Sequence, residues 1–266
     1  MEITMLPEVC ISHRISLTSP RDACRSSLVS SRFRSAVNSD VVWSKFLPHD
    51  YHQVLSNSDL ASSMNSLSKK QLYFHLYHHP VLVDNGKMSF AIDKESGKKC
   101  YMISSRRLPI VCESTATYWL RKSLQAESRF SEVAELTYVS WLSLKGRIET
   151  NILSPKTTYA AYFVYKLKES SSAFMERQVE LGVYFEGEEK AHGASEREVF
   201  LFPSRDQLEL CRDREDGWME VEMGDFFNYG GEEHGVVVFS LMHIHNDTCR
   251  LGLIVEGVEL RPKAGT

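Results

Sequence analysis

Six cysteines and ten histidines are the side chains in this 266-residue chain best able to bind a metal or attack a substrate. The cysteines are Cys10, Cys24, Cys100, Cys112, Cys211 and Cys249, and no two have the C-x-x-C spacing of a zinc or redox motif. Scattered thiols of this kind are expected as buried free cysteines in a reducing compartment. His75 and His79 stand four apart, so a helix would put them on one face, with His78 beside them. His243 and His245 would share one face of a strand. Two imidazoles can begin a metal site, but no carboxylate stands near enough in sequence to complete one, so surface histidines are expected. There is no Gly-rich phosphate loop, no G-x-S-x-G elbow and no H-E-x-x-H. Gly86, Gly97, Gly146, Gly217, Gly224, Gly252 and Gly257 are expected at turns or strand ends, where backbone geometry accounts for them. No catalytic residue, metal or cofactor is therefore expected. The chemistry left is recognition, by apolar and aromatic side chains that dock on a partner.

The elements that would carry those side chains change character along the chain. Residues 1–47 read as helices. Ser19 or Thr18 caps a helix that starts at Pro20, and Asp22 meets its positive end. Ala23, Leu28, Val29, Phe33, Ala36 and Val37 fall at helical spacing on one face of that helix, which Asn38 ends. Ser39 and Asp40 open a short helix with Val41, Val42, Trp43, Phe46 and Leu47, and Pro48 stops it. A head this small cannot bury much surface alone, so it is expected to pack against something else. Residues 48–80 read as a polar, Ser/Asn-rich linker to residue 68, then a short helix, Lys69 to His78, with Leu72, Tyr73, Leu76 and Tyr77 as its face. From residue 81 the period becomes two. Met88–Ile92 and Cys100–Ile103 flank a hairpin turn at 95–98, and Tyr159–Leu167, Val179–Phe185, Met219–Met223, Val236–Ile244 and Leu251–Val255 alternate. Residues 186–198 and 203–216 read as charged loops. The fold class is α+β and mostly β: an N-terminal helical segment joined to an antiparallel β-sandwich over 81–266.

Composition agrees with a folded chain: 42% hydrophobic, 25% charged and a net charge of −4. No apolar run reaches the ~20 residues that span a bilayer, and the first 30 residues have no signal-like apolar core. Neither a membrane nor nucleic acid is an expected partner. Charge is uneven, however: residues 1–47 carry +2 and the remainder −6. Two units with different partners would have that pattern.

Two ordered motifs point to families. Leu6-Pro7-Glu8, Ile11, Ile15, Leu17, Ser19-Pro20-Arg21-Asp22-Ala23, Val29-Ser30, Phe33 and Trp43 resemble the F-box, with Arg14 where that family carries an apolar residue. The resemblance implies docking on the Skp-family adaptor of a cullin ubiquitin ligase through Leu6, Pro7, Ile11, Ile15, Leu17, Val29, Phe33 and Trp43. Farther on, Pro80–Lys87, Ser96–Tyr101, Glu127–Leu136, Leu153–Thr157, Asp216–Glu220, Gly224–Phe227 and Gly252–Lys263 resemble the plant phloem-lectin (phloem protein 2) family. Its lectin members bind N-acetylglucosamine oligomers or N-glycan cores. Sugars are held by stacking on aromatic rings with carboxylates or amides on their hydroxyls.

The resemblance places a sugar at Tyr118 and Trp119, but several family positions differ. Cys112 and Arg121 stand where tryptophans are expected, Ala91 replaces another, and Val236 and His243 stand where the lectins carry glutamates. Trp119 also reads as a core or sandwich-edge aromatic, and Trp141 and Trp218 as core. The resemblance implies a non-catalytic substrate receptor of an SCF-type ubiquitin ligase in the cytoplasm and/or nucleus, with a protein or glycoprotein substrate. A lectin without ligase function, and a sandwich turned into a protein-interaction module, are the alternatives.

Overall fold

The computed structural model describes residues 6–56, 58, 61–112, 119–124, 127–168, 178–188, 195–201, 211–231 and 235–263. The chain divides into two compact units, Met1–Asn85 with Phe90–Cys100, and Gly86–Ser89 with Tyr101–Thr266.

The first unit holds α1 (Glu8–Ile15), α2 (Pro20–Ser26), α3 (Ser31–Val37), α4 (Asp40–Phe46), α5 (Tyr51–Leu55), α6 (Lys69–His78) and β1 (Val81–Val83). Serines start most of the helices. Ser19, Ser30 and Ser39 accept from backbone N–H groups of the first turns of α2, α3 and α4, and Ser68 forms a capping box with Gln71 at α6. The expected single helix over 20–37 is thus two. Ser30 caps a second start, so Leu28 and Val29 lie on the connection, exposed, and not on a buried face.

The core of this unit is centred on Trp43. Its indole N–H donates to the carbonyl of Val37 at 2.6 Å, and its ring lies 5.6 Å from Phe46, 5.1 Å from Tyr73 and 5.3 Å from Phe74. Ile11, Ile15, Ala36, Val37, Leu72 and Leu76 are buried around it. The hairpin tip at 93–98 joins the same unit. Tyr73 donates its hydroxyl to the carbonyls of Asp93 and Lys94, and Gly97 approaches so closely that an added Cβ would stand 2.4 Å from the Phe46 carbonyl oxygen. The head's packing partner is therefore in the same chain: α6 and the hairpin tip.

Residues 48–68 are not the polar linker that their serines suggest. They form α5 and a 3-10 turn at Met64–Ser66, and Tyr51, Leu55 and Met64 are buried. The serines bond locally: Ser56, Ser58 and Ser66 donate to the carbonyls three residues back. Lys99 is buried with its ammonium 2.7 Å from Asp50.

β2 (Met88–Ile92) and β3 (Lys99–Ser104) are divided between the units. The second unit adds β4 (Ile110–Cys112), β5 (Trp119–Lys122), β6 (Val133–Glu149), β7 (Thr157–Leu167), β8 (Gln178–Phe185), β9 (Ser195–Phe200), β10 (Cys211–Asp213), β11 (Met219–Asn228) and β12 (Val236–Pro262). Every described strand pairing in it is antiparallel. β12 is the common member. Residues 237–242 lie between β6 and β8, residues 253–255 between β6 and β7, and 257–260 between β3 and β7. The two strands expected at 236–244 and 251–255 are one, with register shifts between Ile244 and Cys249 and between Arg250 and Leu253. β11 touches β8 and β9 without pairing to them: Phe226 meets Phe185 edge to face at 6.1 Å, and Tyr165 of β7 donates to the Leu201 carbonyl at 2.7 Å. Two antiparallel layers thus enclose a core of Phe163, Leu181, Val183, Phe239 and Leu241.

Three further expectations change. The charged stretch 186–198 runs into β9, which pairs with β8, and 203–216 contains β10, which pairs with β11. Gly146, Gly224, Gly252 and Gly257 lie inside strands, and an added Cβ on Gly257 would stand 2.0 Å from the Ile103 carbonyl oxygen. Cys10 and Cys24 are exposed, Cys100 is half-buried and Cys211 is buried. The side chains of Cys112, Cys249 and Trp141 lie outside the described residues; Trp218 is in the core.

Candidate functional site

The head presents apolar side chains that its own core does not use. Leu28 is 80% exposed, Val9 74%, Leu17 67%, Val29 65% and Val41 51%. Of the residues expected to dock an adaptor, Leu17, Val29 and Pro7 are exposed, while Leu6 and Phe33 are half-buried. Ile11, Ile15 and Trp43 are internal, so in this conformation they support the surface without forming it. Val9, Leu28 and Val41 are added by the structure. Their exposure was not readable, because apolar residues at helical spacing look the same on a covered and an uncovered face. Arg14 is exposed in the last turn of α1, where a cation meets the negative end of the helix dipole.

In the sandwich, β5 is paired to β6 and to no other described strand. Trp119 and Arg121 share a face of it. Trp119 is half-buried, and the Arg121 guanidinium lies 4.8 Å from the centre of its ring. Arg121 also donates to the Ser105 hydroxyl at 3.3 Å. Partial burial lowers its hold on its proton; Glu132 opposes that shift and Arg106 adds to it. One face of Trp119 is therefore taken by a cation. Tyr118 and the side chains of Cys112 and His243 lie outside the described residues. Ala91 is half-buried on β2 in the first unit, and Val236 lines a shallow cleft with Arg107, Pro109, Arg147, Ile148 and Glu149. Of the expected sugar-site positions in the described part of the sandwich, only Trp119 and Arg121 are seen in contact.

A buried charge network fixes the loops of this unit. Glu259 accepts from Arg129 at 3.0 Å and from Arg214 at 2.7 Å; Arg214 also reaches Glu220 at 2.9 Å, and Arg261 reaches Glu220 at 2.7 Å. Burial alone would raise the Glu259 carboxyl, but Arg129, Arg214 and Arg261 overcome it and hold it at about 2. Glu256 is shifted the other way: burial raises it, against Arg129 and Ser128. It accepts from the Ser128 hydroxyl at 2.8 Å and the Arg129 amide at 3.1 Å. Arg129 and Arg214 thus tie the 127–130 and 214–218 segments to β12. Nothing in alternating strand patterns marks these glutamates as internal.

His75 and His79 do come together on α6, with ring centres 5.2 Å apart. Burial, then His79, lowers the His75 pKa. Among the described residues no group of three His, Cys, Asp or Glu could hold a metal.

Residues 98–262 match the phloem protein 2 family and residues 3–45 match the F-box domain. The chain belongs to the F-box proteins that carry a phloem protein 2 domain. From Arabidopsis thaliana, the F-box protein At2g02240 is 43% identical over 97% of this chain and 79% of its own length. The F-box protein PP2-B10 from the same plant is 40% identical over 96% of this chain and 92% of its own. Among solved structures, a family 35 carbohydrate binding module from Clostridium thermocellum aligns with 60% of this chain and 96% of its own. That likeness, with TM-score 0.34 at 11% identity, is too weak to bear on function. The F-box match covers α1 to α4, and the phloem protein 2 match runs from the hairpin tip to the end of β12.

Proposed function

We propose that this F-box/phloem protein 2 chain is a substrate receptor of an SCF-type ubiquitin ligase. Its head docks a Skp-family adaptor and through it a cullin, and its sandwich selects the substrate. The observation that carries this reading is the exposed apolar set Val9, Leu17, Leu28, Val29 and Val41 on an F-box fold whose own core is complete. Apolar side chains that a folded head leaves uncovered are available to a protein partner. The chain acts by proximity, raising the concentration of substrate near a ubiquitin-charged enzyme, and its setting is the cytoplasm and/or nucleus.

Sugar recognition is the second reading, and the phloem protein 2 domain with its edge tryptophan supports it. At Trp119 a neutral N-acetylglucosamine ring would first have to displace Arg121. The main reading is tested by capture of a purified Skp-family adaptor on the full chain and on Leu17→Ala/Val29→Ala. Both side chains are exposed, so the fold is kept. Truncating two interface side chains worth ~1–2 kcal/mol each should weaken capture by about 30-fold or more. Equal capture by wild type and variant overturns it.

A further inference from the structure

Around Trp119 and Arg121 there is more positive charge than carboxylate to balance it. Arg106 and Arg121 are opposed by Glu132, which lies 3.6 Å from Arg106. Lys122 and Glu135, which Lys168 also meets, lie on the opposite face of β5 and do not enter this balance. Two cations thus face one anion beside the aromatic ring.

Arg121 is held in its present place by weak contacts. Its hydrogen bond to Ser105 is long at 3.3 Å, and its contact with Trp119 is of the weaker, part-exposed cation–π kind. A carboxylate offers a guanidinium two parallel, charge-assisted hydrogen bonds, which are stronger than either. A ligand that pairs a flat C–H face with a carboxylate would therefore be compensated twice. Its ring replaces the guanidinium over Trp119, and its charge receives the displaced Arg121. A neutral ring receives only the first. The chemistry that satisfies both is a pyranose bearing a carboxylate.

We propose that the Trp119–Arg121 edge of the sandwich is a binding site for acidic saccharides of the uronic-acid type, with the sugar ring on Trp119 and its carboxylate on Arg121. The site rests on the sugar-recognition reading and not on adaptor docking, because every residue in it lies in the second unit.

The test uses the full chain and tetragalacturonate, compared with the same oligosaccharide fully methyl-esterified, which keeps the rings and loses the charge. Calorimetric titration at low salt should show the acid binding about tenfold or more tighter than the ester. Arg121→Gln should bring the acid down to the ester's affinity, Arg121→Lys should keep part of the preference, and Trp119→Ala should weaken both ligands. Equal affinity for acid and ester overturns the proposal. So does absence of binding, a preference that survives Arg121→Gln, or tetraglutamate binding as tightly as the sugar. Adaptor capture by the same variants should match wild type. A negative sugar result with intact capture thus refutes the site and leaves the receptor reading standing.

Discussion

Replacing Glu259 by Gln removes the charge at the centre of the sandwich's buried network and keeps its shape. In the native chain this carboxylate receives Arg129 at 3.0 Å and Arg214 at 2.7 Å, with Arg261 at 3.8 Å. Those cations hold it at about 2 against an ordinary 4.5. The difference corresponds to roughly 3 kcal/mol of stability. The sign follows from the depressed value. The contribution is fully present above about pH 5 and is lost as pH falls toward 2, because protons then bind the unfolded chain first. Glu256 works in the opposite sense: its raised value costs stability as pH rises through it, so it blunts the acid loss without reversing it. Gln cannot accept from two guanidinium groups as a carboxylate does, and its amide N–H₂ must face a donor. Glu259→Gln should therefore cost the sandwich about 3 kcal/mol at pH 7 and less than half of that at pH 3, where the native carboxylate has lost over half of its advantage. The assay is urea-dependent hydrogen exchange, read by mass spectrometry in peptides from β7 and β11. A loss below about 1 kcal/mol at pH 7, or an equal loss at both pH values, would refute the assignment of this network as a charge-stabilised core.

Two further substitutions test the less expected parts of the fold. Leu55→Ala should destabilise the head by ~2–4 kcal/mol, seen as faster exchange in α1 and α4, because Leu55 is buried and not part of a linker; a silent outcome would restore the linker. Gly257→Ala should open the pairing of β3 with β12, since its Cβ would stand 2.0 Å from the Ile103 oxygen, and exchange at residues 101–104 should rise sharply while α6 is unchanged.

What the sequence showed well was local chemistry. Ser19-Pro20 starts a helix because serine bonds the free N–H groups and proline needs none. Lys69–His78 was readable from its apolar spacing, and the 93–98 turn from its Gly97, which adopts φ 68°. What it hid were consequences of tertiary packing. Leu28 and Val29 have helical spacing and yet lie on a connection, because Ser30 can cap a helix as readily as sit inside one. Tyr51 and Leu55 were masked by serines that bond locally to the chain. Glu256 sits at a register shift of β12 and meets Arg129, as Glu259 does, and residues 252–260 are all buried, so that strand has no polar face of the kind alternation would require. At the candidate sugar site, the resemblance named Trp119 and, at a changed family position, Arg121; that they are neighbours on a strand with the guanidinium over the ring is a property of the folded edge.

The head was expected to be too small to fold without a partner, and the structure resolves that differently. Trp43 is enclosed by Phe46, Tyr73 and Phe74, and Gly97 closes against Phe46, so α6 and the hairpin tip supply in the same chain the packing that an adaptor would otherwise have to bring. A segment that folds only on binding loses part of its interaction energy to its own ordering. This head is ordered beforehand, and that cost does not arise. Val9, Leu17, Leu28, Val29 and Val41 then remain exposed on a formed surface, and removing them should speed adaptor release without changing the stability of the free head. Loss of Trp43 should do both. The separation of those two outcomes distinguishes a docking surface from the core that supports it.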